Sequence, residues 1–344
     1  MMKREEALDL FRSDDLIGIG MAADQVRRKL HPEGIVSYII DRNINYTNAC
    51  TEYCTYCAFY RPVGHKESYI HNKETILEKL RETQELGGTG VLMQGGLHPD
   101  LKIEWYEDLL SAMKARFPAI WLHCFSAPEI VNIAQVSGLG LRDTIARLRD
   151  AGLQSIPGGG AEILDEDVRY RISRLKCSAA DWVDVHRTAH HLGLRTTATM
   201  MFGCGETLEQ RMNHFDAVRQ IQEETGGFTA FIPWTFQREN TSLGRFVKEE
   251  ATAVEYLQNL AISRLYLENI LNVQSSWVTQ GLKTCQLGLR FGGNDVGSIM
   301  LEENVVSAAG AHNEASEEEL RRIIRDAGFI PKQRDTLYRT YFLN

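Results

Sequence analysis

Three cysteines fall within eight positions in the stretch Tyr46-Thr47-Asn48-Ala49-Cys50-Thr51-Glu52-Tyr53-Cys54-Thr55-Tyr56-Cys57-Ala58-Phe59-Tyr60. Thiolates are soft ligands, and three of them at Cys-x3-Cys-x2-Cys can each take one iron of a [4Fe-4S] cube. No fourth cysteine lies nearby in the sequence, so one iron would be open to a further ligand. An open iron must be shielded from water, and Tyr56 and Phe59 flank Cys57 where they could cover a bound group. The plainer use of three cysteines is a structural zinc site with His65 as fourth ligand. Zinc knuckles pair two short couplets across a longer loop, however, and the second couplet is missing. An iron without a protein thiolate can be chelated by the amino and carboxylate groups of S-adenosylmethionine. One-electron reduction then cleaves that sulfonium to a 5′-deoxyadenosyl radical, with the protein orienting and shielding the cofactor.

Such a centre needs a rigid frame, and the chain's rhythm supplies one. Short apolar, β-branched runs alternate with longer amphipathic segments. The runs predict strands at Val36 to Asn45, Gly90 to Gln94, Ile120 to Phe125, Leu153 to Pro157, Arg195 to Phe202, Gly227 to Trp234, Asn272 to Ser276 and Leu287 to Phe291. Helices are predicted at Lys73 to Leu86, Ile103 to Arg116, Ala179 to Leu192, Leu208 to Glu224 and Ala251 to Glu268, with a short one around Val278 to Lys283. Eight βα pairs imply an α/β fold with a parallel sheet closed as a (β/α)8 TIM-type barrel. A helical extension over residues 1–35 precedes the barrel at 36–300. A C-terminal helical segment at 301–344, including Glu314 to Asp326, packs outside it. Catalytic groups in such barrels sit where strands end, and the unusual residues cluster there, glycines and polar groups above all.

Several of these groups have two readings. Gln94-Gly95-Gly96 ends the second strand, where Gly-Gly suits an ordinary turn or a close approach of backbone to ligand. Gly158-Gly159-Gly160 offers the same approach, and Glu162 beyond it is a solvated loop carboxylate or an acceptor for ribose hydroxyls. Ser126 and Glu129 either cap the helix that starts at Ala127-Pro128 or touch the cofactor. Lys176 and Arg174 belong to a cationic helix face or meet the cofactor carboxylate. Cys124, Cys177, Cys204 and Cys285 read as small buried residues. His190-His191 is not a metal couplet, since adjacent helical residues point apart. The net charge of −8 argues against nucleic acid as a partner. Seven cysteines form an odd, scattered set that fits a reducing cytoplasm and not a disulfide framework. No apolar run reaches the ~18 residues of a membrane span.

The cysteine spacing with its intervening aromatic resembles the fingerprint of the radical S-adenosylmethionine (SAM) superfamily. The resemblance extends to Asp41-Arg42-Asn43-Ile44-Asn45-Tyr46-Thr47-Asn48, Cys57-Ala58-Phe59-Tyr60-Arg61, Gln94-Gly95-Gly96-Leu97-His98-Pro99-Asp100, Leu289-Arg290-Phe291-Gly292-Gly293-Asn294-Asp295 and Glu302-Glu303-Asn304-Val305-Val306. These segments are similar to the menaquinone and deazaflavin group of that superfamily and run from about Asp24 to Tyr338. Phe59-Tyr60-Arg61-Pro62 and His31-Pro32-Glu33-Gly34 look most like the cyclic dehypoxanthinyl futalosine synthases. The resemblance implies a [4Fe-4S] cluster on Cys50, Cys54 and Cys57. It also implies backbone contact of Gly95 and Gly96 with the methionine amino group, and a flavodoxin or ferredoxin as electron donor.

It further implies abstraction of the ribose C4′ hydrogen of dehypoxanthine futalosine, addition of the carbon radical to the substrate's benzoate ring, and loss of an electron and a proton. For that chemistry Met200, Phe202, Trp234 and Phe291 are candidate walls and Asn294 a candidate substrate contact. Arg238 or Arg290 is the candidate carboxylate anchor, and Asp295 or Glu162 the candidate proton acceptor. Each has a plain core or salt-bridge reading as well. Aminofutalosine synthases and deazaflavin-forming enzymes are the rival members of the group, and an iron-sulfur or zinc stabilised barrel without catalysis is the rival outside it.

Overall fold

β-Branched and aromatic runs become strands because their side chains pack well on a pleated surface, and the amphipathic segments between them become helices that cover it. The computed structural model describes residues 2–339. Among them the strands are β1 (Ile35–Ile39), β2 (Asp41–Asn45), β3 (Gly90–Gln94), β4 (Trp121–Cys124), β5 (Ser155–Ile156), β6 (Arg195–Phe202), β7 (Phe228–Thr235), β8 (Asn272–Val273), β9 (Asp295–Ser298) and β10 (Ile330–Gln333). From β2 to β8 they form one seven-stranded sheet in chain order, with every pairing parallel. A second parallel sheet has the order β10-β1-β9.

The two sheets meet through β9. Asn294 N–H donates to Val273 O at 3.0 Å and Ser275 N–H donates to Asp295 O at 2.8 Å, while Ile299 N–H donates to Ile39 O at 3.0 Å. Backbone bonds therefore run from β2 round to β8, across β9, and back to β1, which leads into β2 through Ile40 alone. This is the expected α/β barrel of TIM type. Its wall helices Lys73–Glu85, Ile103–Arg116, Ala179–His191, Leu208–Thr225 and Ala253–Tyr266 stand where the apolar periodicity places them.

One expected strand is corrected. Leu287 and Gly288 end the helix Gly281–Gly288, and Phe291 follows in a turn. Leu287, Leu289 and Phe291 alternate like a strand, but Cys285 and Leu289 also stand one helical turn apart, and these two are the fully buried ones. The eighth stave of the ring is β9 instead. Helices Arg4–Phe11 and Leu16–Leu30 form the N-terminal extension, and Glu317–Asp326 begins with the capping box of Ser316 and Glu319. The C-terminal segment also supplies β10, which pairs with β1.

Candidate active site

The loop after β2 carries the three cysteines and is pinned by backbone bonds. Cys50 N–H donates to Arg61 O at 3.0 Å, Thr51 N–H to Leu97 O at 3.1 Å, and Thr55 N–H to Ile172 O at 2.8 Å. The Arg61 guanidinium clasps the loop from within. Its Nη1 reaches the carbonyls of Ala58, Phe59 and Tyr60 at 3.2, 3.4 and 2.9 Å, and its Nε donates to Glu67 at 2.8 Å. Gly96 is required here, because a Cβ would run into Ala49 O.

Cys50 and Cys54 are buried and Cys57 is half-buried. Burial pushes the Cys54 thiol up to about 12 and raises those of Cys50 and Cys57. Buried thiols of this kind become thiolates only against a positive centre. Three of them without a fourth are the donor set of a [4Fe-4S] cluster with one open iron, so the residues fit that group. His65 is exposed, and its Nδ1 accepts the Glu67 N–H at 3.2 Å. Among the described residues no three His, Cys, Asp or Glu side chains form a site for a single metal ion.

A chain of polar groups leads from this loop to the barrel interior. Lys176 Nζ donates to Tyr56 Oη at 2.6 Å and to Glu162 Oε2 at 3.2 Å. Glu162 is 5% exposed and lies in the left-handed region at φ 40°. The glycine run before it brings the backbone close to its neighbours: a Cβ on Gly158 would lie 2.6 Å from Thr197 O, and one on Gly159 would run into Gln94 Nε2. Gln94, Gly158, Gly159, Gly160 and Glu162 thus share one end of a cavity of about 300 Å³ inside the barrel. Trp234 lines it and also lines a smaller cavity of about 50 Å³ that includes Tyr56, Cys57 and Met201.

Strand alternation decides which residues enter the cavity. On β2 Asp41 and Asn43 line it, on β6 Thr197 and Thr199, and on β7 Ile232 and Trp234. Met200 is therefore on the wrong parity: it is fully buried against the helix side, with Asn259 Nδ2 3.7 Å from its sulfur. Phe202 is likewise fully buried, under the Arg211 guanidinium. Phe291 packs against Gly20 of the N-terminal helix, outside the barrel cavity.

The other expected substrate contacts are also engaged elsewhere. Asn294 accepts Arg264 Nη2 at 2.6 Å and the Val273 N–H at 2.9 Å. Arg238 donates to Lys248 O at 2.6 Å and borders a separate surface cavity with Glu239 and Glu250. Arg290 donates to Ala327 O at 2.6 Å and lies over the Phe329 ring at 4.5 Å. Asp295 is saturated as an acceptor, receiving Ser37 Oγ at 2.6 Å, Gly297 N–H at 2.8 Å and Arg334 through Nε at 2.5 Å and Nη2 at 2.9 Å.

Ser126 and Glu129 resolve into a capping box. Glu129 Oε2 accepts Ser126 N–H at 2.7 Å and Ser126 Oγ at 2.6 Å, and its Oε1 accepts Tyr46 Oη at 2.8 Å and Gly95 N–H at 2.9 Å. Burial pushes the Glu129 carboxyl up to about 7 against those four donors. It acts on the site through Gly95 and Tyr46. Phe59 is half-buried and gives its carbonyl to Arg61.

Sequence reasoning assigns no role to Asp41, Asn43, His123, Thr197, Thr199 or Arg334, all of which line the cavity. For Asp41 and Asn43 a signal exists: Asp41, Arg42, Asn43 and Asn45 make four of the five residues of β2 polar, although the strand is almost wholly buried. For Arg334 there is none, since it lies beyond the last expected barrel element.

Residues 44–218 match the profile described as the Radical SAM superfamily, and residues 225–343 match the one described as the CofH/MqnC C-terminal region. The chain belongs to the radical SAM superfamily. The cyclic dehypoxanthine futalosine synthase of Halalkalibacterium halodurans is 49% identical over 337 residues, 98% of this chain and 90% of that protein. The 5-amino-6-(D-ribitylamino)uracil--L-tyrosine 4-hydroxyphenyl transferase of Methanothermobacter thermautotrophicus is 43% identical, covering 98% of this chain and 93% of its own. The crystal structure of methylornithine synthase (PylB) shares the fold, with a TM-score of 0.75 at 16% identity over 96% of this chain and 94% of that one. Membership makes this radical SAM chain an enzyme and implies a [4Fe-4S] cluster and SAM. No helix among the described residues is long and apolar enough to cross a membrane.

Proposed function

We propose that this radical SAM enzyme converts dehypoxanthine futalosine to its cyclic form, a step towards menaquinone. The observation that carries the reading is the cavity of about 300 Å³ inside the barrel. It has the polar Gln94 to Glu162 end and Trp234 near the cysteine loop, and walls that include Leu92, Ile232 and Val296. When bound, the cluster and SAM supply a 5′-deoxyadenosyl radical. The chain's own residues orient the substrate with its ribose C4′ at the cysteine end and its aryl ring among the apolar walls, and they exclude water from both.

The hydrogen at C4′ leaves with the deoxyadenosyl carbon, and the C4′ radical forms a bond to the ring. Rearomatisation must then release one electron, for which the cluster that Cys50, Cys54 and Cys57 would hold would be the acceptor, and one proton to a basic group of the cavity. Asp295 is occupied by Arg334 and Ser37, so that proton acceptor is drawn from Glu162 and His123. Tyr56, Lys176, Glu162, Gln94, Gly95 and Gly96 stay in the proposal as the cofactor side of the site, and Trp234 as the substrate side. The first electron comes from a small carrier protein of the flavodoxin or ferredoxin type in the cytoplasm, and the organisation into residues 1–35, 36–300 and 301–344 belongs to the same reading.

The 49% relative names this cyclisation, and the 43% relative names a transfer between two separate molecules. A cavity of about 300 Å³ is at the small end for ligand sites and suits one folded molecule beside the cofactor better than two. The test is anaerobic incubation of the reconstituted, reduced enzyme with SAM and dehypoxanthine futalosine, followed by mass analysis. A product lighter by two hydrogens, formed together with 5′-deoxyadenosine, supports the reading. Deoxyadenosine without that product refutes the substrate.

A further inference from the structure

We propose that Arg334 anchors the aryl carboxylate of the substrate at the inner end of the barrel cavity; the assignment rests on the function proposed above. The substrate carries one anion, and the cavity offers little to receive it. Its lining holds the acids Asp41, Glu162 and Glu303, and Arg334 is the one Lys or Arg among the described lining residues. Arg238 and Arg290 are committed to backbone carbonyls outside it.

Arg334 is only 5% exposed. A guanidinium has five N–H donors. Three of them are bonded: Nε to Asp295 Oδ2 at 2.5 Å, Nη2 to Asp295 Oδ1 at 2.9 Å, and Nη1 to Asp335 O at 3.0 Å. Each Nη carries a second N–H, and the Tyr338 hydroxyl, which also takes a bond from the guanidinium, must give way for both to grip a second carboxylate in a bidentate fork. The Tyr338 ring lies 3.8 Å from the guanidinium carbon and holds its plane. The arginine is thus fixed by three bonds and an aromatic face before substrate arrives, so little side-chain entropy is lost on binding.

Asp295 already balances the Arg334 charge, so a second carboxylate is received only where Asp41 carries none. The titratable groups around Arg334 are Asp295 from β9, Asp41 from β2, His123 from β4 and, from its own segment, Tyr338 and Asp335, the last paired with Arg339. Asp295 is the ion-pair partner of Arg334 at 2.5 Å. Burial pushes the Asp41 carboxyl up to about 6, with Ser298 and Arg334 pulling the other way. An incoming carboxylate raises it further, so the substrate anion is taken up with Asp41 protonated. Burial also keeps His123 neutral near pH 7, pushing it down to about 3.

The test compares wild type with Arg334→Lys, which keeps a cation against Asp295 and loses the fork. Binding to the anaerobic SAM-loaded holoenzyme is titrated with dehypoxanthine futalosine and with its analogue bearing phenyl in place of carboxyphenyl. Turnover is followed alongside. For wild type, removal of the carboxylate should weaken binding by about tenfold or more, and Arg334→Lys should weaken binding of the natural substrate by a similar factor. The variant should then bind substrate and analogue alike, and the wild-type preference should grow as pH falls through about 6. A variant that still prefers the carboxylate, or loses both ligands equally, overturns the anchor. If Arg334→Lys does not fold, Arg334→Gln with Asp295→Asn removes the pair without stranding a charge and is judged by the same comparison. Carboxylate-dependent binding without cyclised product would refute the function and keep the anchor.

Discussion

Glu162 holds a left-handed backbone that costs a side-chain-bearing residue about 1 kcal/mol or more and persists only where its surroundings impose it. They do so here. Arg169 Nη1 grips Ala161 O at 2.9 Å and Gly160 O at 3.1 Å, Met201 N–H donates to Glu162 O at 3.0 Å, and Lys176 holds the carboxylate. Glu162→Gln should leave melting temperature and iron content near wild type and slow 5′-deoxyadenosine formation by about tenfold, because a neutral amide holds Lys176 and ribose hydroxyls less strongly. Unchanged deoxyadenosine formation would remove Glu162 from the cofactor side. Alanine at Cys50, Cys54 or Cys57 should each abolish both the bound iron and deoxyadenosine formation, since each thiolate takes a separate iron. The cysteines are legible in the sequence because they are contiguous, whereas Asp41 and Arg334 become neighbours only when the chain folds.

At the level of elements, the strand ends are tied to one another through few groups. Glu129 alone joins Tyr46 after β2, Gly95 after β3 and Ser126 after β4. Gly96 makes room for the cysteine loop, so Gly96→Ala should destabilise the chain by about 1–3 kcal/mol and weaken iron retention after desalting. Full retention with an unchanged melting temperature would show that the loop can yield. The helices and most strands were legible because apolar period and length agree, as at Ile103–Arg116, where both bounds coincide with the expectation. Face was less so. Expecting Met200 in the pocket ignored that Thr197 and Thr199 fix the inward parity of β6. The run at Leu287 to Phe291 satisfies both periods, and only the packing of Cys285 and Leu289 chooses the helix.

Across the whole molecule, β9 and the segment after β10 complete the ring and floor the cavity, and the buried Arg334 to Asp295 pair ties them together. None of this long-range closure is written in local pattern. It has a consequence for stability. The Asp41 carboxyl, at about 6 in the folded chain, lies above its ordinary value of about 4, so the folded state holds that proton more tightly than the unfolded one. The resulting stabilisation is present below pH about 4 and is lost as pH rises through about 6. Asp41→Asn cannot ionise, so urea unfolding of the apo-protein at the two ends of that window should show a smaller loss for the variant; an equal loss would place the titration on another group. The most direct test of the central claim, that one molecule is cyclised inside this barrel, uses dehypoxanthine futalosine carrying deuterium at C4′. The expected result is deuterium in 5′-deoxyadenosine, in amounts matching a cyclised product lacking it. Deoxyadenosine free of deuterium, or labelled deoxyadenosine with no cyclised product, would contradict it.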